Sequence, residues 1–359
     1  MIIRLSNWVL SLLLALSVFA AASPQPAAAA SKTALEQALD YAPPATTEIA
    51  FTDWQRLKAI EGIAAVNSVS MPDVRERIRK MLVITQERHA PMAGFGLAKF
   101  ATFAKTWGWD TSDLAWEAML NLDDEAPLYI LQFRANFDMS ALAERYRAYQ
   151  FNERVLDNGI TVFTSTVNIK AAWISGSELA LRNSALDVKQ HRLIVTSGDA
   201  GIAAAFAALN DKTARPGSVQ RLAKMLARQA SGILALPPHA CERQRALNKL
   251  LKSSKAPALG AYETLAIGYD IVNGQPLGLI AMEYADPATA KTDAPIRLNI
   301  AKTGLSLATN RPYSDLITVK SSRVTGTAFM MTVHFREGQP RLLRDMMLRF
   351  DVAFAGCGE

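Results

Sequence analysis

Two spacings of hydrophobic residues run along this chain of 359 residues, and each predicts a different element. Apolar residues three and four positions apart predict helices, while alternating or short continuous apolar runs predict strands. Helical spacing covers 31–42, 52–62, 70–88, 93–107, 138–150, 200–210, 219–229 and 339–350. Strand patterns cover 47–54, 114–122, 128–133, 156–166, 171–175, 192–197, 231–236, 262–285, 296–308, 316–322 and 326–335.

Start signals fix the beginnings of two of these helices. Thr52 and Gln55 have the spacing of a capping box, so Thr52 is the predicted N-cap of the helix that ends near Gly62. Ser70 is the predicted N-cap of the next helix, and Asp73 in the first turn is its predicted reciprocal capping residue.

A tryptophan-rich stretch, "KTWGWDTSDLAWEAML" at 105–120, raises the question of an aromatic binding platform. Gly108 follows the last apolar position of a helix, as a left-handed C-cap does, and Trp109 would fold back toward Phe103. Trp116 lies on the apolar side of an alternating strand. A platform needs several aromatic rings exposed together, and this reading leaves only Trp107 free for that. The stretch therefore predicts a helix-to-strand junction.

Two Asn-Gly pairs predict tight hairpins, because both residues accept the positive φ values of such turns. Asn273-Gly274 lies between two long strand patterns, and Asn158-Gly159 lies between two shorter ones.

The order of elements predicts an α+β fold with two similar lobes of mainly antiparallel sheet and packed helices, preceded by an N-terminal helical segment. The lobes span 113–248 and 260–359, the mostly helical segment spans 31–112, and a Lys- and Ser-rich linker covers 249–260. Each lobe contains, in the same order, a predicted strand, a hairpin, a helix, further strands and a cysteine. This shared order suggests an internal repeat. In that arrangement Cys241 and Cys357 occupy equivalent positions and a bridge between them joins the lobes.

Residues 1–30 have the parts of a secretory signal peptide. Arg4 precedes an apolar run from Trp8 to Ala22, and Ala28-Ala29-Ala30 offers a small-residue cleavage site. The apolar run is shorter than the roughly 20 residues of a membrane span. An uncleaved N-terminal anchor is the alternative, and in both cases the mature protein is extracytoplasmic, either secreted or cell-surface associated.

The composition predicts a large hydrophobic core and a small positive net charge that is spread along the chain. Half of the residues are hydrophobic and the net charge is +6, which weakly favours anionic surfaces and does not predict nucleic-acid binding. The helix within 72–88 carries five basic residues on its predicted exposed sides, namely Arg75, Arg77, Arg79, Lys80 and Arg88. It could contact an anionic surface, although a solvated face is the commoner reason for such a pattern.

Candidate chemistry is sparse. Cys241 and Cys357 are the two cysteines of the chain, and in an exported protein such a pair predicts one disulfide. His239 lies two residues before Cys241 and could suggest a thiol nucleophile, but the disulfide is favoured. No motif identifies a catalytic residue, a cofactor site or a metal site.

The chain resembles an uncharacterised family of exported bacterial proteins of unknown function. The resemblance rests on "LEQALDYAPP" with "EIAFTDWQRLK", on "WGWDTSDLAWEA", and on the single cysteine that closes each predicted half. It implies no activity and no functional residues.

Three hypotheses of function follow. The first is a non-catalytic extracytoplasmic binding or interaction protein that uses a groove between its two lobes. The second is a secreted hydrolase with an unrecognised carboxylate-based site, which clustered acids with shifted pKa values would favour. The third is a surface-associated protein that uses the basic helix at 72–88.

Overall fold

The computed structural model describes residues 32–84, 89, 91–95, 97, 100–123, 126–156, 159–165, 183–196, 199–211, 215–241, 259–306, 310–336, 346 and 352–357. The predicted signal peptide and the predicted strand at 171–175 lie outside the described residues, as do most of the linker at 249–260 and most of the helix at 339–350. All elements below belong to the unit Ala34–Glu359.

Within the described residues, twelve strands form one antiparallel sheet. They are β1 (Thr46–Thr52), β2 (Leu114–Leu122), β3 (Leu128–Phe133), β4 (Asn152–Val155), β5 (Thr161–Thr164), β6 (Asn183–Asp187), β7 (Arg192–Thr196), β8 (Ser231–Ala235), β9 (Thr264–Val272), β10 (Gln275–Glu283), β11 (Ile317–Thr325) and β12 (Ala328–Phe335).

The described helices precede, connect or flank these strands. They are α1 (Ala34–Asp40), α2 (Trp54–Ile60), α3 (Val74–Leu82), α4 (Phe100–Trp107), α5 (Met139–Ala148), α6 (Asp199–Asn210), α7 (Gly217–Leu226), α8 (Pro287–Thr303) and α9 (Tyr313–Leu316). The mixed α+β class predicted from the sequence is confirmed.

The sheet is continuous from edge to edge, in the order β11-β12-β10-β9-β8-β1-β2-β3-β7-β6-β5-β4. Strand β8 pairs with β1 on one side and with β9 on the other, so the two predicted lobes share a sheet. Outward from β1 the order is β2-β3-β7-β6, and outward from β8 it is β9-β10-β12-β11. In this order β8 opens the second series, whereas the sequence pattern placed it at the end of the first. The repeat itself stays a prediction.

Helices cover the two faces of the sheet unequally. On the front face, which carries Phe51, Ala118 and Ala266, residues of α1, α6 and α7 form one hydrophobic cluster with the strands. On the back face, α2 to α5 cover the first half of the sheet, around Leu131. The back face of the second half, around Ile267, is covered by α8, α9 and the C-terminal residues.

Two predicted N-caps are wrong, because the observed caps lie one residue and three residues further along the chain. Asp53, not Thr52, caps α2 by accepting a hydrogen bond from the Arg56 backbone N–H. Thr52 belongs to β1. Asp73, not Ser70, caps α3 by accepting from two N–H groups of its first turn. A carboxylate at each start adds a favourable charge to the capping bond, which explains why Asp prevails over the hydroxyl residues.

The tryptophan junction has the predicted form. Gly108 has φ +75° at the end of α4, and the Trp109 ring lies 4.9 Å from that of Phe103. Trp109 is fully buried, and Trp116 is 6% exposed within β2. The expectation that Trp107 is free for an exposed role is wrong, because it is 1% exposed and packs on Tyr146.

The predicted strand at 296–308 is wrong over most of its length, because residues up to Thr303 belong to α8. The alternation of Ile296, Leu298 and Ile300 imitates a strand. The residues that α8 buries are instead small or charged and follow a helical spacing: Ala290, Asp293, Ala294, Arg297 and Ala301. A hydrophobic pattern cannot reveal a buried helix face of this kind.

Both Asn-Gly hairpins are confirmed. Asn273 and Gly274 have φ values of 52° and 75° between β9 and β10. Gly159 has φ 81° between β4 and β5, which pair with each other.

The predicted disulfide is confirmed: Cys241 and Cys357 are bridged, with their Cα atoms 5.6 Å apart. Both cysteines belong to the same cluster on the back face of the second half. The bridge therefore ties the C-terminal residues to the segment after β8.

Within the described part of the chain, no helix combines the length and the apolar character needed to cross a membrane.

Candidate binding surface

The space between the two back-face clusters is occupied by a piece of the chain itself, residues 91–95. Met92 packs against the cluster of the second half, and Phe95 packs against that of the first. The Thr52 hydroxyl accepts from the Ala93 N–H at 2.9 Å and donates to the Ala93 carbonyl at 2.8 Å. The sequence suggested an open groove between two lobes. Between the two back-face clusters, the described residues show an anchored segment instead.

Glu117 holds the same segment from β2. Its Oε2 accepts from the Phe95 backbone N–H at 3.0 Å, and its Oε1 accepts from the Trp54 indole N–H at 2.8 Å. Burial raises the pKa of Glu117 to about 7, and the two hydrogen bonds oppose the rise. The carboxyl is fully buried. Both oxygens thus serve to fix neighbouring elements.

Five other acids with little or no exposure are bonded to arginines. The pairs are Arg77–Asp110, Arg134–Asp113, Arg297–Asp293, Arg221–Glu283 and Arg56–Asp270. An arginine pairs with each carboxylate and offsets its charge, as a buried charge requires. Among the described residues, no group of three or more His, Cys, Asp or Glu could hold a metal ion.

The basic helix of the sequence analysis is less basic than predicted. Arg77 is 3% exposed, because its guanidinium bonds Asp110 beneath α3. Arg79 lies 3.7 Å from Glu76 on the same helix. Of the five basic residues assigned to exposed sides, Arg77 is buried and structural, and Arg88 lies outside the described residues.

A second basic region lies on the front face, where β12 and β11 extend past the helices. Thr318, Ser321 and Arg323 of β11 are exposed there, and Thr332 and His334 of β12 are half-buried. Thr318 is opposite His334, and Ser321 is opposite Thr332. Helices α8 and α9, which pack against these strands, belong to the cluster on the opposite face. We call the exposed side of β11 and β12, together with the adjoining side of α7, the basic front surface.

The charged side chains of the strand part of this surface are all positive. Residues 317–336 include Lys320, Arg323 and Arg336 but no Asp or Glu. The pKa of the His334 imidazole is lowered, first by its partial burial and second by the nearby positive charge of Lys320. Neither Lys320 nor Arg323 has an ion-pair partner within the described residues.

Helix α7 adds charge beside the strands. Arg221 and Lys224 lie one turn apart, Arg228 follows just after the helix, and all three are exposed. Arg221 reaches over to bond Glu283 at the end of β10, which orients this side of the helix toward the open strands. Residues 217–230 contain no Asp or Glu. Because the charge of Arg221 is paired with Glu283, Lys224 and Arg228 are the residues that extend the positive region from the strands onto the helical layer.

The sequence predicted the strands and the helix that form this surface, but not that they lie next to one another. It predicted strands at 316–322 and 326–335 and a basic helix at 219–229. The lack of acids in 317–336 was a usable signal. The contact of α7 with β10, the neighbour of β12, depends on the sheet order, which the pattern did not contain.

The fold and surface define an α+β protein with a single wide antiparallel sheet and one basic, partly open face. No family model matches the chain, and no curated protein matches it. Similar solved structures include TP0453 from Treponema pallidum in crystal form I, with 9% identity and a TM-score of 0.42, covering 87% of this chain and 98% of that one. Crystal form III of TP0453 has 10% identity and a TM-score of 0.42, covering 88% and 97%.

Proposed function

We propose that this chain is an exported, non-catalytic binding protein that docks an anionic partner on the basic front surface. The observation that carries the proposal is the run 317–336, which forms the open end of the sheet and has three Lys or Arg and no acid. A one-signed surface raises the local concentration of oppositely charged partners and speeds their association.

Location outside the cytoplasm is part of the proposal. The Cys241–Cys357 disulfide is typical of proteins that fold in an oxidising compartment. Together with the signal-like residues 1–30, it supports export of the mature chain. Intact-mass measurement of exported material tests this: a mass starting near Ser31 is expected, and a mass that retains residues 1–30 would indicate an anchor.

A carboxylate-based hydrolase is the second candidate, and the raised pKa of Glu117 is the observation that favours it. Against it, both oxygens of Glu117 accept bonds from the protein's own N–H groups. A general acid or base needs to reach a substrate proton directly or through one water. We therefore assign Glu117 a structural role.

Binding of fluorescent poly-L-glutamate, measured by anisotropy at low and at physiological salt, tests the docking proposal. The double variant K320E/R323E reverses two charges of the surface. The control R75E/K291E makes the same change of net charge at exposed positions of α3 and α8. Both control residues lie in the first half of a helix, where an acid is tolerated by the helix dipole.

We expect the surface variant to bind at least about tenfold more weakly, a difference of about 1.4 kcal/mol, and the control to stay within about twofold. Affinity should also fall as salt rises, because exposed charges are screened. Equal weakening in both variants would show that only net charge matters, and absence of binding at low salt would refute the proposal.

A further inference from the structure

We propose that the exposed edge of β11 binds an acidic polypeptide segment in extended conformation, which adds to the sheet as a further strand. This inference rests on the proposed function and names the class of partner. It draws on three features of β11: its place in the sheet, its side chains and its bulge.

The first feature is its position. β11 ends the sheet and, among the described strands, pairs with β12 alone. An edge strand leaves a row of backbone N–H and C=O groups on its outer side, and an extended peptide can pair with that row. β11 has nine residues, whereas β4 at the opposite edge has four. Of the two edges, β11 is the one long enough for a peptide.

The second feature is its side chains. Residues 320–323 are all exposed, and Ser321 and Ser322 are short enough to leave the neighbouring backbone approachable. Lys320 and Arg323 stand on either side of these serines. Opposite charges facing each other across two strands are favourable, so acidic residues on an added strand would be matched by these cations.

The same charges disfavour the obvious competing occupant, a second copy of the chain. Edge-to-edge pairing of two β11 strands would bring Lys320 and Arg323 of one copy close to those of the other. Like charges on paired strands are destabilising, and Lys on an edge is a known protection against such pairing. Charge complementarity therefore selects an acidic strand over a second copy.

The third feature is the bulge, which sets the length of the contact. The register with β12 shifts between Val319 and Ser321, so Lys320 is the extra residue. A bulge bends its strand and interrupts regular pairing. Regular geometry is available over Ser321–Thr325, so the partner needs a stretch of about five extended residues to match it.

The test uses a fluorescent peptide of about nine residues that alternates Glu with Val or Thr, a pattern suited to one face of a strand. Two derivatives carry N-methyl groups, one on the odd and one on the even amides. Each derivative keeps the charge but loses the N–H donors on one edge of the extended peptide. For an added strand of one direction, only one of those edges can face β11 when the Glu side chains face Lys320 and Arg323.

We expect one derivative to bind at least about tenfold more weakly than the parent, and the other to bind within about threefold of it. The parent should lose affinity for K320E/R323E and keep it for R75E/K291E. Equal binding of all three peptides, equal loss in both derivatives, or no binding of the parent would overturn strand addition. If poly-L-glutamate still binds in any of these cases, the docking proposal stands and only the strand inference fails. If it does not bind either, both fail.

Discussion

The carboxylate of Glu117 and the indole N–H of Trp54 form a buried hydrogen bond of 2.8 Å between residues 63 positions apart in the chain. It joins the first residue of α2 to the middle of β2. The other carboxylate oxygen binds the backbone of Phe95, so one side chain fixes a helix and the segment 91–95 to the sheet. Because the Glu117 carboxyl is buried, its protonation changes the free energy of unfolding.

Glu117 should make the protein more stable in mild acid than at alkaline pH. Burial raises its pKa in the folded state to about 7 from the ordinary value of 4.5, so the folded state binds the proton more tightly than the unfolded state does. The stabilisation is therefore full below pH 4.5 and is lost as pH rises through about 7. Its size is on the order of 3 kcal/mol. Urea unfolding between pH 5 and pH 8 measures it.

E117Q should remove this part of the pH dependence, because Gln resembles the protonated carboxyl and does not titrate. The matched control is E144Q, at an exposed position of α5. We expect E144Q to keep the wild-type slope of unfolding free energy against pH. The same slope in E117Q would show that Glu117 does not titrate with a raised pKa.

The disulfide should be a large contributor to stability. It closes a loop with a sequence separation of 116 residues, and loops of this length correspond to about 4–5 kcal/mol in the chain-entropy description. C241A/C357A should therefore unfold at a clearly lower urea concentration than the oxidised wild type. Reduced wild-type protein is the control and should behave like the variant. An unchanged midpoint would contradict this expectation.

Local patterns predicted the local structure well. The alternation in 114–122, the left-handed Gly108 and the Asn-Gly turns each determine the conformation of a few residues, and each prediction is confirmed. The pair Cys241–Cys357 was also predictable, since two cysteines allow only one intramolecular bridge.

Features that depend on long-range contacts could not be read from the pattern. Arg77 looks like a surface residue until Asp110, 33 positions away, is placed beside it. The buried face of α8 was hidden because Asp293 and Arg297 neutralise each other there. The basic front surface required the sheet order. Each of these depends on which strand lies next to which, and hydrophobic periodicity carries no such information.

Trp116 should behave as a core residue. It is 6% exposed in the front-face cluster, and the Arg192 guanidinium lies 5.3 Å from its ring. W116A should lower the free energy of unfolding by about 3–5 kcal/mol, as large-to-small core changes do. W116F, which keeps an apolar ring, should cost less. Urea unfolding followed by circular dichroism measures both. A loss below about 1 kcal/mol in W116A would contradict core burial.

Arg297 should control the attachment of the C-terminal residues. It is fully buried and donates hydrogen bonds to the carbonyls of Phe354 at 3.0 Å and Gly356 at 2.7 Å, next to Cys357. It also neutralises Asp293 on the same helix. R297M removes these donors and leaves a buried carboxylate without its cation, which should cost about 3–5 kcal/mol.

Two comparisons separate the charge effect from the lost tail contacts. D293N/R297M removes both charges, so it should recover part of the stability lost in R297M. Amide hydrogen exchange at 352–357 should nevertheless stay faster than in the wild type, because the double variant still lacks the bonds to Phe354 and Gly356. R311M, at an exposed arginine, is the control and should leave both measurements unchanged. Wild-type exchange at 352–357 in R297M would show that Arg297 does not hold the tail, since the disulfide alone would then suffice to keep those amides protected.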